Sequence, residues 1–227
     1  MPSKNSRKIY VKDGHYHVYN RGVEKRNIFQ DIQDYKIFMR YLKDSLSTLD
    51  KSKIESKEFI LKGQAFKGVP RLPKNFHGKI EIIAYCLMPN HFHLLLKQVE
   101  NDSLQKFMQA LLTRYSIYFN KKYDRVGSLF QGRYKAVLVL ENNYLLHLSR
   151  YIHLNPSEYS SNLIGAYSSY ANYLGSRKTR WVKPDFVLNF FNKEISPEFK
   201  KVISYKDFVE NYKNGSTEIL GKLTLEN

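Results

Sequence analysis

Hydrophobic positions along the chain repeat with two periods, and the alternation between them outlines a fold. HYHVYNRG (residues 15–22) reads as a strand running into a turn at Gly22. From 32 to 49 the period becomes helical: Ile32, Tyr35, Phe38, Met39, Leu42, Leu46 and Leu49 share one face, and Asp31 is placed to cap it. Residues 50–78 are lysine-rich and weakly periodic, with Gly63, Gly68, Pro70 and Pro73. They read as a long loop or insertion holding a short strand near Glu58–Leu61. Residues 80–87 (IEIIAYCL) and 92–99 (FHLLLKQV) read as two strands joined by a turn at Pro89-Asn90. The clearest helix is 103–120, where Leu104, Phe107, Met108, Leu111, Leu112, Tyr115, Tyr118 and Phe119 trace one stripe. Asp102 and Gln105 are placed to cap it. After a break at Gly127, residues 133–140 (RYKAVLVL) read as a strand. Asn142 or Asn143 then caps a last helix that Pro156 ends.

The resulting order is strand, helix, strand, strand, helix, strand, helix. That is the ferredoxin-like split βαβ pattern: an α+β fold with an antiparallel central sheet and helices mainly on one face. Residues 1–158 are expected to form this domain, interrupted by the 50–78 insertion. Residues 159–227, around YSSYANYLG and DFVLNFF, are expected to form a small helical appendage and tail.

Two pairs of residues carry candidate chemistry. His91 and His93 are two apart on a strand, so both imidazoles point to one face and can converge on a divalent ion. Alone, such a pair is a weak signal. Tyr151 and Asn155 are four apart on the last helix, about 40° from each other around its axis. They lie beside the apolar stripe of Tyr144, Leu145, Leu148 and Ile152, so a phenol and an amide can approach the same ion. A tyrosine with a pKa of about 10 needs activation to act as a nucleophile, and a cation that polarises a phosphate supplies it. The bland alternative makes Tyr151 a half-buried aromatic and Asn155 a helix terminator.

Charge narrows the partner class. Lys and Arg total 37 against 21 Asp and Glu, a formal net charge of +16. From Lys193 onward six lysines meet six acids, so the whole excess lies before that point. A basic chain with 18 Tyr and 14 Phe suits nucleic acid, single strands in particular, whose bases stack on rings. Arg21, Arg114, Lys121, Lys122, Arg125, Arg133 and Lys135 are candidates for phosphate contacts, although each singly is more often a solvated charge. Tyr115 reads as core, His147 as solvated, and His153 points away from Tyr151 and Asn155. His15 and His17 also share a strand face, but without a matching helix pair they read as structural or DNA-contacting. No stretch approaches the roughly 18–20 apolar residues of a membrane span. The basic N-terminus lacks the apolar run of a secretory signal. Cys86 is the lone cysteine, so a reducing cytoplasm, with nucleoid association, is the expected compartment.

MPNHFHLLL carries the HUH pattern, histidine–bulky apolar–histidine. With HVYNRG, GSLFQGRYKA and YIHLNP, it resembles the single-tyrosine HUH transposases of the IS200-like type. YIHLNP and YSSYANYLG look most similar to REP-associated tyrosine transposases, and the resemblance spans roughly residues 10–190. It implies a domain that binds hairpin-bearing single-stranded DNA and cuts and rejoins it through a 5′-phosphotyrosine. It places the nucleophile on Tyr151, the ligands of Mg²⁺ or Mn²⁺ on His91, His93 and Asn155, and allows a monomer or a homodimer. The rivals are a domesticated hairpin-binding protein with little or no turnover, and a metal-dependent nuclease that uses water.

Overall fold

A computed structural model describes residues 8–49, 56–69, 72–192 and 204–211. The expected neutral tail therefore lies, apart from 204–211, outside the described residues. The elements are β1 (His15–Arg21), α1 (Ile32–Leu46), β2 (Lys57–Leu61), β3 (Gln64–Gly68), β4 (Ile80–Met88), β5 (His91–Gln98), α2 (Ser103–Lys122), β6 (Lys135–Val139), α3 (Asn142–Leu154), α4 (Tyr170–Tyr173), α5 (Asp185–Asn192) and α6 (Tyr205–Glu210).

The central sheet has the order β4-β5-β1-β6, with every neighbouring pair antiparallel. The two crossovers carry α1 and α2. This is the α+β, split βαβ arrangement expected from the periodicity. The insertion holds a separate hairpin: β2, which covers the strand anticipated near Glu58–Leu61, pairs with β3 across a turn at Lys62-Gly63.

The sheet is covered on both faces. On the first, Tyr16, Val18, Phe92, Leu94 and Leu96 pack under α1 and α2, whose Phe38, Leu42, Phe107, Leu111 and Tyr115 are fully buried. Tyr115 donates to the Ile28 carbonyl, the partner a buried hydroxyl needs. On the second, α3 contributes Leu145, Leu148 and Ile152, joined by Tyr170 and Tyr173 of α4, Val187 of α5, and Tyr205 and Phe208 of α6. A register shift between Ile82 and Ala84 turns both Ile83 and Ala84 toward this face. The expectation of helices mainly on one face is thus amended. α1 and α2 take the first face, while α3 and the segment expected as an appendage build a second core. The reason is composition: the strands bury apolar side chains on both sides, and neither side can face water.

Caps follow local chemistry, with one exception. Asp31 and Asp34 form a reciprocal capping box at the start of α1. Asp102 sits at the N-cap of α2 with φ of 60° and makes no side-chain cap bond, contrary to expectation. The Gln98 side chain accepts from Leu104 N instead, at 3.0 Å. At α3 the N-cap is Glu141 rather than either asparagine, without a side-chain cap.

Asp34 also anchors α2 to α1. Its buried carboxylate accepts from Lys122 Nζ (2.8 Å), Tyr118 Oη (2.9 Å) and Tyr123 Oη (2.7 Å). Burial alone would raise its pKa; these donors and the Gln30 amide more than reverse that and leave it lowered. A lowered carboxylate pKa stabilises the fold above the unfolded value of about 3.9, and that stability is lost as pH falls through the folded value. Asp34→Asn should therefore cost about 3 kcal/mol at pH 7. Urea midpoints of wild type and variant should converge as pH is lowered below about 4. A gap independent of pH would show that the charge is not what matters.

Candidate active site

The turn between β4 and β5 is clamped from the segment after β1. Gly22 N donates to the Asn90 carbonyl (2.8 Å), and Ile28 N and Phe29 N both donate to the Pro89 carbonyl (2.8 and 3.0 Å). Gly22 is required there, because a Cβ would collide with the Arg26 carbonyl oxygen. This fixes the backbone at which β5 begins, and His91 is its first residue.

His91 is held at Nδ1 and faces a second acceptor at Nε2. Nδ1 lies 2.6 Å from Asn90 Oδ1, and the Asn90 amide nitrogen donates to the Lys25 carbonyl at 3.3 Å. The amide is thereby oriented with its oxygen toward the ring, so Nδ1 carries the proton. Nε2 faces Asn155 Oδ1 at 3.4 Å. The Asn155 amide nitrogen donates to the Tyr151 carbonyl (3.0 Å), which leaves its oxygen directed at His91.

His93 lies behind, fully buried, its ring centroid 5.0 Å from that of His91 and perpendicular to it. The Tyr151 ring stands edge-on against His93 at 5.4 Å and against His17 at 6.3 Å. Burial pushes the pKa of His91 down to about 4, with Asn155 opposing and Arg21 reinforcing the shift. Burial pushes His93 well below its ordinary value, with His17 and His91 adding to it. Both imidazoles are therefore neutral at pH 7, the form that binds metal. A cleft of about 400 Å³ opens over the group, lined by Arg21, Lys25, Asn90, His91, Tyr151, Asn155, Glu158 and Tyr159.

α3 is oriented by its far side. His153 is buried between Tyr205 Oη and Ser169 Oγ, both at 2.7 Å, and Tyr205 donates to Ser149 Oγ. With its Leu145, Leu148 and Ile152 face on the sheet, α3 carries Tyr151 and Asn155 to the β5 edge of the cleft.

The donor set suits a divalent cation. His93 Nε2 is buried without a hydrogen-bond partner, and the His91 and Asn155 acceptors converge. Two imidazole nitrogens and one amide oxygen form a partial set, which phosphate oxygens and water would complete. Among the described residues no group of three or more His, Cys, Asp or Glu could hold a metal, so the amide is essential to this assignment.

The expected phosphate contacts scatter. Arg21 lies at the cleft and donates to Gln131 Oε1. Lys135 stands over the Tyr19 ring, on the same sheet face as His93. Arg133 lines a separate groove beside α2, and Arg125 donates to Asn120. Arg114 pairs with Asp44 and stacks on Tyr41, and Lys122 pairs with Asp31 and Asp34. These last two charges already have ion-pair partners within the protein. Lys121 is exposed on α2. His147, expected in solvent, is buried against Phe208. Sequence reasoning missed Lys25 and Asn90, of which only Asn90 had a local signal, as the residue beside the first histidine; His17 was noted on its strand face but read as structural or DNA-contacting.

Residues 74–155 match the family model "Transposase IS200 like". Among solved structures, a REP-associated tyrosine transposase bound to a REP hairpin aligns with a TM-score of 0.51 and 12% identity over 80% of this chain and 98% of that one. A candidate transposase from Deinococcus radiodurans R1 aligns with a TM-score of 0.36 and 14% identity, over 67% and 95%. No curated protein sequence matches. Among the described residues no helix is long and apolar enough to cross a membrane.

Proposed function

We propose, from the premise that residues 74–155 carry an IS200-like transposase core, that this protein cuts and rejoins hairpin-bearing single-stranded DNA with Tyr151 as nucleophile. One observation carries the reading: β5 and α3, distant in sequence, bring His91, Asn155 and Tyr151 to one cleft. The Tyr151 ring packs in the second core, and the residue also lines the cleft beside His91 and Asn155.

His91, His93 and Asn155 would hold Mg²⁺ or Mn²⁺, which would supply polarisation of the scissile phosphate. Arg21 and Lys25, at the cleft rim, steer the phosphate backbone. Tyr151 Oη bonds to phosphorus as the P–O3′ bond breaks. The phenol gives up its proton and the departing 3′ oxygen takes one up. The products are a 5′-phosphotyrosine and a free 3′-OH, and reversal of the step rejoins a strand without ATP. Asn155 would offer its side-chain oxygen to that ion while its amide nitrogen donates to the Tyr151 carbonyl.

Incubation with a hairpin-bearing single strand and Mn²⁺ should give a protein–DNA adduct stable on a denaturing gel. Cutting without any adduct would favour a water-using nuclease. Binding without cutting would favour a domesticated hairpin binder.

The rim charges give a separate expectation. Arg21→Ala should weaken binding by a similar factor for all strands and reduce the salt slope by about 0.7, the single-strand value per phosphate contact. Titration at several salt concentrations reads it, and an unchanged slope would remove Arg21 from the DNA interface.

A further inference from the structure

His17 lies on β1, outside the histidine pair, and the register explains how it reaches His93. Tyr19 is the cross-strand partner of His93, so His17 is its diagonal neighbour on the same face. The His17 side chain is fully buried, and its Nε2 lies 2.8 Å from His93 Nδ1, with the two rings stacked at 5.1 Å. Burying two imidazoles in contact is costly unless their hydrogen bond is satisfied.

That bond has two possible directions. If His17 Nε2 donates, the His93 proton sits on Nε2, where it blocks a cation. If His93 Nδ1 donates, His17 accepts, its own proton moves to Nδ1, and the His93 Nε2 lone pair is open. His91 has no such choice, because Asn90 can only accept from its Nδ1. Both histidines thus have an acceptor available at Nδ1 and can present Nε2, but only the His93 side is switchable.

We propose that His17 is a positioning residue for the cation: it accepts the Nδ1 proton of His93 and holds that ring with its Nε2 lone pair facing the site. Metal-bound imidazoles are commonly oriented this way by an outer acceptor. The inference rests on the metal reading of the same site given above.

The test uses the full chain without DNA. Mn²⁺ affinity, measured by electron paramagnetic resonance of the free ion, should fall about 10–100-fold in His17→Phe. The phenyl ring keeps the bulk and removes the acceptor. His17→Gln, whose amide oxygen can accept the same proton, should restore affinity to within a few-fold. A structural role alone would lower the melting temperature of His17→Phe and leave its Mn²⁺ affinity unchanged, which overturns the proposal. Equal losses in both variants would make His17 itself a ligand, and overturn it too. If His17→Phe does not fold, the wild type still decides. Long-range ¹H–¹⁵N spectra with Zn²⁺, a tighter diamagnetic probe, should show His93 protonated at Nδ1 and bare at Nε2. A proton retained on Nε2 overturns the assignment. Wild-type protein whose Mn²⁺ binding ignores His91→Ala would instead sink the metal reading itself.

Discussion

Tyr151→Phe is expected to abolish the covalent adduct and to lower strand cleavage by at least about 10⁴-fold, the scale on which loss of a sole nucleophile is felt. The substitution removes one oxygen. The ring remains edge-on to His93 and His17, and α3 keeps its leucine face on the sheet, so folding and DNA binding should survive. Denaturing gels with a labelled strand read the adduct and the cut product together. Cleavage at near wild-type rate in this variant would mean that water attacks the phosphate, and the tyrosine mechanism would be abandoned.

His91→Ala should have the next largest effect. Its Nε2 converges with the Asn155 oxygen, and no carboxylate cluster among the described residues can replace it. Cleavage should fall by about 10³-fold, comparable to losing a principal electrostatic stabiliser of the transition state. Hairpin binding should stay within a few-fold, because the rim charges Arg21 and Lys25 are untouched. The lost bond to Asn90 costs on the order of 1 kcal/mol, small enough for the fold to persist. Circular dichroism checks that persistence. If binding collapses while the spectrum is unchanged, His91 recognises DNA and is not a ligand.

These two expectations separate three activities. A tyrosine transferase loses cleavage in both variants, a water nuclease only in His91→Ala, and a binding protein has no cleavage to lose.

Among the residues assigned from sequence, several whose reading depended on short spacing kept the geometry assigned to them, although the equally local cap at Asp102 did not form. His91 and His93 share a strand face, Tyr151 and Asn155 share a helix edge, and Asp31 caps α1, because each relation spans only two to four residues. The element order was legible for the same reason. Apolar periodicity is a local property, and it located β1, α1, β4, β5, α2, β6 and α3 within a few residues.

What the chain did not disclose depends on contacts between segments far apart in sequence. Nothing near Lys122 in sequence announced its pairing with Asp31 and Asp34, some ninety residues away. His153 faces away from the cleft, as its position on the helix implied, yet its task of tying α3 to α6 needed Tyr205 in view. His17 looked like a copy of the histidine pair with nothing to meet it. Only the pairing of β1 with β5, set by the burial of both sheet faces, placed it against His93. Sequence determined which groups could share an element's face, since backbone geometry repeats over a few residues. Tertiary structure decided which faces meet, since that follows from burying apolar area across the whole chain.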